Sequence, residues 1–199
     1  MKGGWRMTKQ RQGYSLALLA GAIVGVGLLK APPLAAQDRI LPLKIKVGEK
    51  APNFALPAAD GRTIRLSDFA GHIVLIDFYR GYWGPYCMGE LGQFVKHDAE
   101  FRKLGVHILA ISVDPPARAK WAKEKLKAPF HFLSDSKQTV MKLYGTRSPE
   151  YSNKLGISIN TPTLVLIDKT GTIRWIHQAN NYRVRNPVEN DLAQVRKLQ

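Results

Sequence analysis

Cys87 is the only cysteine in 199 residues, and it closes the stretch RGYWGPYC at positions 80–87. The apolar run HIVLIDFYR precedes it, and Leu91, Phe94, Val95, Phe101 and Leu104 follow at helical spacing. That order puts the sulfur behind a buried strand and a turn containing Pro85, at the opening of a helix. Unpaired backbone N–H groups and the helix dipole favour an anion there, so the thiol pKa is expected to fall. Arg80, at the strand's end, is the expected source of further positive charge. A thiolate so placed is a nucleophile toward a peroxide or a disulfide. One cysteine cannot form an internal disulfide, so Cys87 is a buried inert residue, a reactive thiol, or half of an intermolecular bond. Trp83 and Tyr86 are expected to wall the site, and Glu90 to act as a helix-start carboxylate. His97 and His107 have no second ligand at a metal spacing, so neither a metal nor another cofactor is expected.

The elements that must position Cys87 alternate between strand and helix. APNFALPAADGRTIRLSDFAG carries two short alternating stretches around Asp60-Gly61 and reads as a β-hairpin. The segment 72–80 is continuously apolar, as expected of a strand buried on both faces. VHILAISV is a second such strand, and Asp114-Pro115-Pro116 opens a helix whose Trp121 and Leu126 are expected to face inward. FHFLSD gives an edge strand, Ser136 to Tyr144 a helix ended by Gly145, and TLVLID a third buried strand. Asp168 to Gly171 forms a hairpin loop into TIRWIHQA, and a last helix covers Pro187 to Leu198. The pattern is that of an α/β fold with a central mixed sheet flanked by helices and an N-terminal β-hairpin.

The chain carries a net charge of +15. Five basic residues and no acid fall in the first 30, which leaves +10 for the remainder. Lys and Arg are scattered, without a basic run or a nucleic-acid motif, so no nucleic-acid partner is expected and the surface favours anions. A positive stretch to Arg11, the apolar run Tyr14 to Leu29, and the small-residue stretch PLAAQ follow the order of a secretory signal. About sixteen apolar residues are short for a bilayer span, so residues 1–36 read as a cleaved signal peptide or an uncleaved signal anchor. Residues 37–46 then form a linker and 47–199 an extracytoplasmic domain, with residues 14–29 as its route to a membrane.

FYRGYWGPYCMGELGQF resembles the segment FYRGxWCPYCxxEL of peroxiredoxin-like redoxins, in the alkyl hydroperoxide reductase and thiol-specific antioxidant family of the thioredoxin-like superfamily. ISVDPP, FHFLSD, the pair Tyr144-Gly145 and NTPTLVLIDKTGTIRW resemble further family segments in order, over roughly residues 47–198. The resemblance implies a thioredoxin-like fold and thiol-dependent peroxide reduction at Cys87 with an external thiol as reductant; Arg80, a turn away from the sulfur, is expected to replace the family's missing electrostatic partner. It departs from the family motif of Pro, three residues, Thr, two residues, Cys: Arg80 stands in place of the Pro and Gly84 in place of the Thr. Pro162 stands where a distant family Arg would be. Thr161-Pro162-Thr163 instead resembles the cis-proline segment of thioredoxins, an edge along which a disulfide substrate lies. Trp83-Gly84-Pro85-Tyr86-Cys87 also resembles a two-cysteine redox turn that has lost its first cysteine. The resemblance therefore implies substrate contacts from Trp83, Pro85, Tyr86, Thr161 and Pro162. The alternative it leaves is a catalytically impaired binding protein that holds a partner through this edge or a mixed disulfide.

Overall fold

The computed structural model describes residues 42–149, 151 and 158–199. Residues 1–36, and the linker up to position 41, lie outside them. Among the described residues no helix is long and apolar enough to cross a membrane.

Two short strands, β1 (Ala55–Pro57) and β2 (Thr63–Arg65), pair antiparallel as the expected hairpin. Gly61 sits in its turn with φ of 84°, a conformation that a residue without a Cβ adopts freely. The main sheet has five strands in the order β5-β4-β3-β6-β7. They are β3 (Ile73–Phe78), β4 (Val106–Ser112), β5 (His131–Ser134), β6 (Thr163–Ile167) and β7 (Ile173–Gln178). β3 runs parallel to β4 and antiparallel to β6, so the sheet is mixed and β3 is its centre. All six β3 residues are buried, and five of them are apolar, as a strand covered on both faces requires.

Alternation along β3 divides the core. Ile73, Leu75 and Tyr79 meet α1 (Pro85–Lys96), α2 (Asp98–Lys103), α3 (Pro116–Leu126) and the last helix on one face. Val74, Ile76 and Phe78 meet the hairpin, the lead-in residues Ile45 and Phe54, and α4 (Thr139–Tyr144) on the other. The last helix, α5 (Val188–Arg196), buries Val188, Leu192 and Val195 against the first face. Each fully buried Leu or Phe in these layers contributes roughly 1.5–3 kcal/mol.

Three sequence expectations need correction. The helix read from Cys87 to Leu104 is two helices, because His97 leaves helical geometry at φ −102°, ψ 10°. The helix after Ser136 begins only at Thr139, where the Asp135 carboxylate accepts the Thr139 and Met141 N–H groups at 2.8 and 2.7 Å. Trp121 does not face inward: it is 41% exposed, edge-on to Tyr82 at 5.5 Å with Lys125 over its ring. The inner face of α3 is taken by Ala119 and Ala122, whose small side chains let the helix lie close on the sheet.

Candidate active site

The chain leaves β3 through Tyr79 and Arg80 and turns at residues 81–84 into α1. The Tyr82 N–H donates to Asp114 Oδ2 at 2.8 Å, and the Ser112 hydroxyl to the same oxygen at 2.9 Å. The turn is thus tied to the end of β4. Gly84 is the N-cap of α1 and Pro85 its first residue, so Cys87 is the third helical position. A Cβ placed on Gly84 would lie 3.2 Å from Cys87 Sγ, so the glycine leaves one side of the sulfur clear.

Cys87 is 1% exposed. It lies on a cavity of about 240 Å³ that also draws on Arg80, Trp83, Pro85, Tyr86 and, from later in the chain, Tyr151, Tyr182 and Arg185. Arg185 Nη2 donates to Cys87 Sγ at 3.1 Å. Its Nη1 donates to the Tyr182 and Val184 carbonyls at 2.6 and 2.9 Å, so the loop after β7 folds around its own guanidinium. Nε forms an ion pair with Glu90 Oε2 at 2.6 Å, off the alignment of a hydrogen bond. The guanidinium at the sulfur therefore comes from Arg185, which the motif comparison does not single out, and Glu90 faces it instead of capping α1. Arg80 is placed differently from its expected role. Its guanidinium packs over Tyr151 at 3.7 Å and Tyr182 at 4.1 Å, with Trp83 at 5.7 Å, and it is its backbone that hydrogen-bonds Cys87.

Burial pushes the Cys87 thiol above its ordinary value. The Arg185 charge and the Arg80 backbone hydrogen bond pull it down, and burial is the larger effect. The expected fall at the helix start is thus reversed, because the sulfur is enclosed and its charge is kept from bulk solvent.

Trp83, Pro85 and Tyr86 reach the cavity; Thr161 and Pro162 do not. Both are buried, the bond between them is trans, and Pro162 lines a narrow space behind Glu90 and Arg185. The Pro162 carbonyl accepts the Ala179 N–H at 2.9 Å, so this segment is closed within the sheet rather than open as an edge.

Beneath the sulfur, Asp77 on β3 is fully buried, and neither of its oxygens has a hydrogen-bond partner among the described residues. Burial raises it to about 7, helped by the Asp191 charge and opposed by Arg185. Asp191, which accepts from Asn186, also stands at about 7 through burial. Glu90 is raised for the same reason, with Asp77 adding to it. The folded state thus binds these protons more tightly than the unfolded chain. For Asp77 and Asp191 the stabilisation is complete below the unfolded value near 4 and is lost as pH rises through about 7. Stability should fall by an amount on the order of 2 kcal/mol for either aspartate between about pH 5.5 and 8.5, at about 1.4 kcal/mol per pKa unit. Thermal melts across this range should show it, with a shallower slope in Asp77→Asn; a flat profile in the parent protein would contradict these placements.

The AhpC/TSA family model matches residues 47–176. A putative chloroplastic peroxiredoxin Q of Oryza sativa subsp. indica is 34% identical over 146 residues, 73% of this chain and 65% of the relative. The putative peroxiredoxin bcp of Coxiella burnetii is 35% identical over 133 residues, 66% of this chain and 87% of the relative. Among solved structures, the peroxidoxin BcpB of Mycobacterium tuberculosis superposes with a TM-score of 0.67 at 23% identity, over 78% of this chain and 99% of its own. A cysteine-to-serine mutant of PrxQ from Xylella fastidiosa gives 0.68 at 18% identity, over 77% and 96%. These structures share the thioredoxin-like fold of this domain. The chain spans about two-thirds, 65%, of the length of the rice relative.

Proposed function

The chain belongs to the AhpC/TSA family, and on that premise we propose that it is a thiol peroxidase that reduces hydroperoxides at Cys87 in a one-cysteine cycle. The observation that carries this reading is the Arg185 guanidinium at 3.1 Å from the sulfur, inside a cavity whose other walls are largely aromatic. Arg185 supplies, from the loop after β7, the positive charge that the family motif takes from the position of Pro162.

The thiolate attacks the terminal peroxide oxygen. The S–O bond forms as the O–O bond breaks, the alkoxide or hydroxide takes a proton, and Cys87 becomes a sulfenic acid. Arg185 stabilises the thiolate before the step and faces the negative charge that develops on the peroxide during it. An external thiol then displaces water from the sulfenic acid to give a mixed disulfide, and a second thiol releases Cys87. Because burial raises the thiol, the thiolate is a minor species near neutrality, and the oxidation rate should climb with pH toward the thiol's pKa.

The alternative of a binding protein holding a partner along residues 161–163 loses support, since that segment is buried. Delivery of the domain to an extracytoplasmic compartment through residues 1–36 is part of the same proposal, supported by their charge and apolar order. With a small thiol present, the protein should consume hydroperoxide and oxidise two thiols per peroxide. Cys87→Ser should abolish this consumption; turnover that survives the substitution would refute the assignment.

A further inference from the structure

We propose that a second cavity, at the far end of the sheet from Cys87, is a binding site for a compact apolar monocarboxylate, such as a medium-chain fatty acid. It takes no part in the peroxide step and stands on its own walls.

The cavity holds about 270 Å³ and lies where β3 begins and β6 ends, with Val74 and Ile167 in its lining. That volume is near the lower end of the roughly 300–1,000 Å³ usual for small-molecule sites. Cys87 follows the other end of β3, whose six residues span about 20 Å at roughly 3.3 Å each. The two cavities share no lining residue among those described.

Three stretches of chain form the walls: residues 50–53 of the lead-in, residues 66–72 between β2 and β3, and the loop from β6 to β7. Hydrogen bonds tie each to another. The Ala51 N–H donates to the Gly171 carbonyl at 3.0 Å, the Gly71 N–H to the Lys169 carbonyl at 3.2 Å, and the Ser67 N–H to Asn53 Oδ1 at 3.0 Å. The cavity is thus preformed, and little loop ordering opposes binding.

The floor belongs to the core: Phe69, Val74 and Ile167 line the cavity and are each no more than 9% exposed. An apolar body resting on them withdraws that surface from water. The rim is cationic, with Lys50, Lys169 and the His72 imidazole on it. Lys50 Nζ donates to the Thr170 carbonyl at 2.6 Å, which leaves two of its three donors, and Lys169 is exposed on the loop. The wall's carboxylate, Asp168, is already engaged. It accepts the Thr170 and Thr172 N–H groups at 2.8 and 3.0 Å and pairs with Arg174 at 2.6 Å, so its charge is matched outside the cavity. An acid with an apolar body satisfies floor and rim together. A neutral molecule of the same shape forgoes the ammonium groups, an amine meets like charge, and a small bare anion leaves the floor uncovered.

The test uses the full chain with octanoate, octanol, octylamine and acetate as probes, and calorimetry to read binding. Octanoate should bind at least about tenfold more tightly than each of the others and should raise Tm as its concentration rises. Added salt should weaken it. Lys169→Gln should weaken octanoate by about three- to tenfold, and Ala70→Phe, a bulky side chain introduced at the cavity wall, should weaken it further. Both variants should keep the parent rate of Cys87 oxidation, which octanoate should also leave unchanged. Octanol binding as tightly as octanoate, octanoate affinity unchanged by Lys169→Gln and Ala70→Phe, or octanoate slowing Cys87 oxidation by entering the other cavity would each overturn the proposal.

Discussion

Arg185→Met should slow the oxidation of Cys87 by hydroperoxide by about two to three orders of magnitude near neutrality. Removing one preorganised donor aimed at developing charge costs about 10²–10³ in rate in other enzymes. Here the same group also holds the thiolate, at 3.1 Å in an enclosed site shielded from bulk solvent. The sign is the same for both effects. Loss of the guanidinium raises the thiol further above its ordinary value, so the rate profile moves to higher pH, and it leaves the peroxide unpolarised at every pH. Glu90 loses its ion-pair partner, which pushes its carboxyl further up and disfavours a second uncompensated charge in the site. Arg185→Lys should fall between the two, because an ammonium retains the charge but cannot at once reach the sulfur, Glu90 and the loop carbonyls as the guanidinium does. Arg80→Met should cost less than Arg185→Met, since the Arg80 side chain packs on rings and its backbone remains to bond the sulfur. Single-turnover oxidation followed by mass across pH separates these cases; an Arg185→Met protein that keeps the parent rate would remove Arg185 from the site.

Gly84→Cys should convert external resolution into internal resolution. A Cβ at residue 84 would lie 3.6 Å from Cys87 Cβ and 3.2 Å from its sulfur. Disulfides have Cβ separations of about 3.5–4.5 Å, so the backbone already holds the spacing of a two-residue redox turn. The introduced thiol should capture the sulfenic acid as it forms. One equivalent of peroxide should then yield a disulfide between position 84 and Cys87 without any added thiol, and trapping of the sulfenic acid should disappear. The change should also be visible in reduction, because the new sulfur, at the N-cap of α1, gives a dithiol reductant a second point of attack. Intact mass before and after alkylation distinguishes the disulfide from two free thiols. A stable sulfenic acid on Cys87 beside a free thiol at position 84 would show that the turn is not held as described.

The strands, their order of burial and the place of Cys87 were legible because each is a local matter. A continuous apolar run, a Pro at the first helical position and a glycine after a helix each carry their meaning within a few residues. Arg185 was not legible in this way. It lies 98 positions from Cys87, and the guanidinium reaches the sulfur only because the loop after β7 folds back beside α1. Arg80 drew attention by its nearness in sequence, but three aromatic rings, two of them from distant segments, take up its charge. Two signals were present. Arg183 and Arg185 stand in YRVRNP, between the last strand and the last helix, and Asp77 is a carboxylate inside the run IVLIDF. A charge in a strand buried on both faces requires a partner or a proton, so Asp77 marked a polar site under the sheet. Pro162 misled in the other direction. Its neighbours resemble those of an exposed edge, while the register of β6 against β7 buries it.

The central claim is that the fold activates Cys87 toward peroxide in spite of enclosing it. The most direct measurement is the second-order rate of Cys87 oxidation by hydrogen peroxide, from about pH 6 to 9, in the folded protein and in the same chain unfolded by urea. Burial alone would make the folded protein slower, because it lowers the thiolate fraction. The Arg185 site predicts that the folded protein is faster throughout, by at least about tenfold, with a rate that rises with pH and collapses in Arg185→Met. A folded protein oxidised more slowly than its unfolded chain would contradict the account and leave Cys87 as a shielded core residue.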